Sequence, residues 1–139
     1  MEPTASQLAT LRTLVILHWV FVALLLLCSI GWGAYGALID WALTHQPADR
    51  PQSLTPQFAT YVKSIALVYG IGTFGLAIAN VAMAINLSRR KAWTFLMVGA
   101  AIDCLVIPIG TALGVFALVT LQKPEFQALF GRSVAPPRL

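Results

Sequence analysis

Apolar positions along this chain do not alternate with polar ones; they dominate runs of 23 to 30 residues and then stop. The first run, Leu14 to Ile39, holds 26 residues and no charge, and the second, Ile65 to Leu87, is also uncharged. The third, Ala92 to Leu121, carries one acid, Asp103, and no basic side chain. A surface helix in water shows a polar face, whereas a run apolar all round belongs to a helix with apolar surroundings on every side. A bilayer core takes about 20 apolar residues per helical crossing, so the first two runs suffice with some tilt. The predicted elements are helix 1 over about 8–43, an outer loop over 44–55, helix 2 over about 56–88, helix 3 over about 91–107 and helix 4 over about 111–122. A short interfacial helix at 124–130 and a disordered tail at 131–139 complete the chain, which forms one transmembrane domain.

Polar residues punctuate these runs. Asp40 closes the first, with Trp32, Tyr35 and Trp41 placed as an interfacial aromatic belt. A signal peptide is the competitor for this segment, because residues 33–37 include small ones, but a signal core spans only about 7–15 residues. Residues 46–56 contain three prolines and read as a solvated connector. Thr55 caps helix 2 with Pro56 at its first position. Within helix 2, Gly72, Gly75, Ala79 and Ala82 step by 3, 4 and 3 along one face, the pattern that lets another membrane helix come close. Pro124 starts the last short helix, whose Phe126, Leu129 and Phe130 share a side, and Gly131 ends it.

The third run is too long for one upright span and too short for two full ones, at about 45 Å as a single helix. Pro108 and Gly110 interrupt it, in Ile107-Pro-Ile-Gly-Thr111, where proline removes a helical hydrogen bond and restrains the residue before it. Two arrangements compete: one kinked third span, or two short helices joined by a Pro-x-Gly-Thr turn. Basic residues arbitrate, since they concentrate on the cytoplasmic side. With Arg12 and Arg89-Arg90-Lys91 inside, a kinked span leaves four basic residues inside and five outside; a hairpin returns Lys123, Arg132 and Arg138 to the inside, seven against two. The hairpin agrees with the rule and places both termini in the cytoplasm. The fold expected is thus all-α and integral to the membrane, a small bundle of four helical segments, with three spans as the alternative.

Composition sharpens this. Hydrophobic residues make up 58% of the chain and charged ones 10%, against roughly 25% charged in an average soluble domain. A soluble domain of 139 residues buries only about two-thirds of its extended surface and could not hide this much apolar area. The net charge of +4 sits at the ends of the apolar runs, facing anionic headgroups, and does not indicate nucleic acid. Cys28 and Cys104 both lie inside apolar runs and read as small packing residues, with no disulfide framework or metal site.

The stretch from Ala101 to Gly131 resembles a group of small bacterial inner-membrane proteins. The resemblance rests on Asp103-Cys104, then Pro108-Ile-Gly110-Thr111-Ala-Leu113-Gly114-Val-Phe116, then Lys123-Pro124 with Leu129-Phe130. Leu17-His18-Trp19 is similar to a His-aromatic pair near the start of their first helix. Trp19 stands where tyrosine is usual in that group, and Asp103 where glutamate is commoner. The resemblance covers about a third of the chain and implies an inner-membrane architecture without an activity or cofactor.

Ionisable residues at membrane depth are costly, so each is a candidate site. Counted at 1.5 Å per residue, His18 lies about 6–9 Å below the inner boundary, Asn80 about 12 Å and Asp103 about 16 Å. All three can meet in one intramembrane polar cluster. It serves either as an interhelical fastening, with Asp103 protonated or capping backbone freed near Pro108, or as a proton or ion site. Asp103-Cys104 makes a poor catalytic pair, since adjacent helical residues diverge by about 100°. Gly110 and Gly114 are spaced to pack against helix 1 or helix 2. The function expected is a non-enzymatic packing or accessory subunit, a homo-oligomer or part of a larger membrane complex. The runner-up is a small proton- or ion-coupled transporter or channel subunit using Asp103, His18 and Asn80; a membrane enzyme ranks third.

Overall fold

A computed structural model of the chain describes residues 4–45 and 55–132. The described residues form five α-helices and no strand: α1 (Ala5–Thr44), α2 (Pro56–Ser88), α3 (Trp93–Asp103), α4 (Ile109–Gln122) and α5 (Pro124–Leu129). The chain is therefore all-α, as its sequence predicts. Residues 46–54 of the expected outer loop and 133–139 of the expected disordered tail lie outside the described residues.

Local chemistry explains where each helix starts and stops. Helix α1 begins three residues earlier than the apolar run suggested. A reciprocal cap holds its first turn, with Gln7 N–H donating to Thr4 Oγ1 (3.4 Å) and Thr4 N–H to Gln7 Oε1 (2.9 Å). Phe58 N–H donates to Thr55 Oγ1 (3.4 Å) at the head of α2. The foot of α2 closes in a reversed turn, with Lys91 N–H bonded to Asn86 O (2.9 Å) and Arg90 N–H to Leu87 O (3.2 Å). That turn holds Arg90 at φ 53, and Ala92 at the head of α3 has φ 55.

Helix α3 stops at Asp103, four residues short of its expected end at 107, and α4 starts at Ile109, two residues before expectation. Pro108 is the cause. Its ring cannot follow a helical Cys104, and it has no N–H to give the Cys104 carbonyl. Thr111 Oγ1 supplies that hydrogen bond instead (2.8 Å), while Thr111 N–H bonds to Val106 O (3.1 Å). Helix α5 begins at Pro124, and Gly131 (φ 72) turns the chain after it, its N–H donating to Ala128 O (3.0 Å).

The described chain falls into two compact units, Met1–Val22 with Ile78–Leu139, and Ala23–Ala77. In the first, Leu11 and Leu14 of α1, Met83 and Leu87 of α2, Leu96 and Ala100 of α3, and Ala117 and Leu121 of α4 form the core. Phe126 of α5 is buried in it, with Leu129 and Phe130 packed alongside. The apolar side of α5 thus closes the core. Gly110 and Gly114 let α4 approach α3, a neighbour the sequence did not name for them; helix 1, which it did name, also borders Gly110. A Cβ on Gly110 would meet Asp103 O at 2.5 Å and Val106 Cβ at 2.6 Å; one on Gly114 would meet Cys104 Sγ at 2.6 Å. The Phe21 ring of α1 also borders Gly110, at 3.0 Å.

In the second unit, α1 and α2 run antiparallel. Ser29 Oγ–H donates to Gly70 O (3.0 Å) and Lys63 pairs with Asp40. Trp32 stacks on Tyr69 at 5.2 Å between ring centroids, and Trp32 Cβ is 3.6 Å from where a Gly70 Cβ would stand. Along α2, the buried and half-buried positions Ala66, Gly70, Thr73, Ala77, Asn80, Ala84 and Leu87 step by 4, 3, 4, 3, 4 and 3, a 3.5-residue seam. The small-residue face read from the sequence is two residues out of phase with this seam, about 200° round the helix. Gly72 and Gly75 are exposed with nothing within 4 Å of a Cβ, while Ala79 and Ala82 are half-buried.

Candidate functional site: a buried polar cluster at the hairpin tip

Four polar side chains are buried among the described residues: His18, Asn80, Asp103 and Thr120. Three of them are the residues the sequence singled out, and the fold brings them from three helices into the first unit. Seam positions carry two of them, since His18 and Asn80 occupy the inward stripes of α1 and α2, four residues after Leu14 and three before Met83. The third, Asp103, is the last residue of α3 and sits where Pro108 forces that helix to stop. His18 is 1% exposed, and Asn80 and Asp103 are fully buried.

Asn80 Nδ2–H donates to Asp103 Oδ1 at 2.8 Å, joining α2 to the end of α3. His18 makes neither a hydrogen bond nor an ion pair with the Asp103 carboxyl. Its Nδ1 is 2.8 Å from the Leu14 carbonyl oxygen. A carbonyl can only accept, so the proton is on Nδ1, and in the neutral ring Nε2 is an acceptor. Neither His18 Nε2 nor Asp103 Oδ2 has a hydrogen-bond partner. Asp103 does not cap the backbone freed by Pro108, as the sequence had allowed; Thr111 does that, and the carboxyl is left for Asn80.

Other expected residues fall elsewhere. Cys104 Sγ lies against Gly114, a packing role, but Cys28 is exposed and packs against nothing in the core. Pro108 and Gly110 mark the helix break as expected. Three features were not read from the sequence. Gly99 admits the Met83 thioether, which locks α2 to α3. Trp93 Nε1–H donates to Leu121 O (3.2 Å) while the Arg132 guanidinium sits 4.1 Å over the Trp93 ring. Thr111 had a usable signal: it is the first hydroxyl after a proline that leaves a carbonyl one turn back without its donor.

Among the described residues, no group of three or more His, Cys, Asp or Glu is arranged to hold a metal. The second unit carries an open apolar groove of about 510 Å³, floored by Gly33, Gly36 and Gly70 and ending at the Asp40–Lys63 pair. What the fold defines here is a class: an all-α protein with two helices, α1 and α2, long and apolar enough to cross a membrane. Comparison with protein families, with curated proteins and with solved structures finds no match.

Proposed function

We propose that this is an integral protein of the bacterial inner membrane, with α1 and α2 as spans and α3–α4 as a hairpin that enters and leaves on the cytoplasmic side. One observation carries the reading: polar groups point in and large apolar side chains point out, the reverse of a water-soluble fold. Leu27, Ile30, Leu67 and Val68 are each more than 60% exposed, and 28% and 17% of the most apolar stretches of α1 and α2 are buried. The hairpin supports its own placement. At about 16 Å and 21 Å, α3 and α4 are each shorter than the roughly 30 Å hydrocarbon core. The turn between them presents Leu105 (79% exposed) and Ile107 (82%), side chains suited to lipid and not to water. Non-helical backbone at that depth must be satisfied within the protein, and Thr111 does so for Cys104.

The function we assign is that of a non-enzymatic subunit, associating with a second copy or with a larger membrane complex. The resemblance read from the sequence of residues 101–131 points to the same location. The outward ridge at Gly72 and Gly75, which the chain's own packing leaves uncovered, is where a partner helix can approach. Size measurement and mass spectrometry after mild-detergent purification test this. The expected result is an assembly that Gly72→Leu with Gly75→Leu converts to monomer; a wild-type monomer without partners would remove the reading. A second reading, a proton- or ion-coupled transporter subunit, is favoured by the two unpartnered atoms of His18 and Asp103. Proton-coupled flux into liposomes that equals background in both the native protein and Asp103→Asn would exclude it.

A further inference from the structure

The groove of the second unit has the polarity of an amphiphile. It lies between α1 and α2, and its volume of about 510 Å³ is that of a small-molecule site. Asp40 and Lys63, its charged lining residues, stand paired at one end. Away from that end the lining is Gly33, Gly36 and Gly70 between larger apolar side chains. The Ser29 hydroxyl in this lining is already donated to Gly70 O (3.0 Å). A Cβ on Gly33 or Gly36 would meet nothing within 4 Å, so the chain itself leaves this space unfilled.

Length and charge decide what fills it. From Asp40 to Ser29 along α1, and from Lys63 to Phe74 along α2, the lining extends about 16 Å by helical rise. That is half of the roughly 30 Å hydrocarbon core, the depth of one leaflet. Asp40 closes the first apolar run, and Trp41 and Tyr35 near it are exposed, which puts the charged end at the headgroups and the glycine floor among acyl chains. A partner's spanning helix crosses both leaflets and needs a seam of that length; a lipid tail needs one leaflet. The ion pair uses Asp40 Oδ1, so Oδ2 and two of the three Lys63 protons remain for a ligand. A phosphate alone is drawn to Lys63 and repelled by Asp40, whereas a headgroup carrying phosphate and ammonium meets each charge with its opposite. A primary ammonium also donates N–H to the carboxylate, which a quaternary one cannot. We propose that this groove binds one phospholipid with an ethanolamine headgroup, its phosphate on Lys63, its ammonium on Asp40 and an acyl chain along Gly33, Gly36 and Gly70. The proposal rests on α1 and α2 being membrane spans. It does not depend on assembly, because Gly72 and Gly75 are not part of the lining.

Native mass spectrometry of the full chain in mild detergent tests it, with phospholipids of ethanolamine, glycerol and choline headgroup and matched acyl chains added in equal amounts. The expected result is one retained lipid per chain, the ethanolamine form favoured about three- to fivefold, the scale of an exposed charge contact. Asp40→Asn is expected to remove that preference, and Lys63→Gln to lower retention of all three lipids. Gly33→Leu with Gly36→Leu fills the groove where space is open and is expected to abolish retention whatever the headgroup. Equal retention of the three lipids by the native chain, a preference that survives Asp40→Asn, or undiminished retention in the double glycine variant overturns the proposal. So does a native dimer that the double glycine variant converts to monomer, since a second copy then occupies the groove. Alkaline carbonate extraction separates this from the membrane reading. A chain that it releases from membranes sinks both; a chain that stays in the membrane and keeps no ethanolamine lipid sinks the lipid site alone.

Discussion

At the residue scale, the Asn80–Asp103 hydrogen bond (2.8 Å) is a specific, buried tie between α2 and the end of α3. Interhelical hydrogen bonds in membranes average about 0.6 kcal/mol and reach about 1.7. Removing one partner of a buried pair also strands the other. Asn80→Ala is therefore expected to lower stability by about 1–2 kcal/mol in a detergent unfolding titration, and Asp103→Asn by less, since an amide can still accept from Asn80. Thr111→Val deletes the one donor the structure gives the Cys104 carbonyl at the proline break and should cost about 1 kcal/mol in the same titration. These three positions were readable to different degrees. His18, Asn80 and Asp103 stood out because a polar side chain in an apolar run is conspicuous. Thr111 did not, because a hydroxyl beside a glycine looks like ordinary turn composition until the missing proline N–H is counted.

Among the elements, the glycines separate two kinds of packing. Gly110 and Gly114 hold α4 against the α3 backbone with no room for a methyl group. Gly110→Ala and Gly114→Ala are each expected to destabilise by about 1–3 kcal/mol through overpacking, seen as a lowered unfolding midpoint. Gly72 has open space around it, so Gly72→Leu should leave that midpoint unchanged and act only on assembly. The sequence made both sets look alike, as small residues three or four apart. It pointed to a stripe of α2 that the chain's own packing leaves uncovered, because glycines 72 and 75 are more conspicuous than the alanines of the inward seam, Ala66, Ala77 and Ala84. In a helix apolar all round, hydrophobicity no longer tells which face is inward, and residue size is the remaining cue. Helix ends were more legible. Thr55, Pro124 and Gly131 act where the sequence put them, because caps are set by local backbone geometry.

On the scale of the whole molecule, topology is the property to measure. If α3–α4 forms a hairpin from the cytoplasmic side, a cysteine added at the C-terminus of a chain lacking Cys28 and Cys104 will react with an impermeant thiol reagent only from the cytoplasm. A cysteine at Leu105 will resist it from both sides. Labelling of the C-terminus from the periplasm would convert the hairpin into a third crossing and displace the arrangement proposed here. The sequence alone determined that the chain is helical, that its surface is apolar, and that the third run breaks at Pro108, because composition and proline stereochemistry act without regard to distant residues. Tertiary structure alone decided that α3 ends at Asp103 with its carboxyl on Asn80, that the glycines of α4 fit against α3, and that the inward stripe of α2 passes through Gly70 and Asn80. Those outcomes depend on which surfaces fit at van der Waals distance, and fit between helices remote in sequence is not encoded in the order of their residues one stretch at a time.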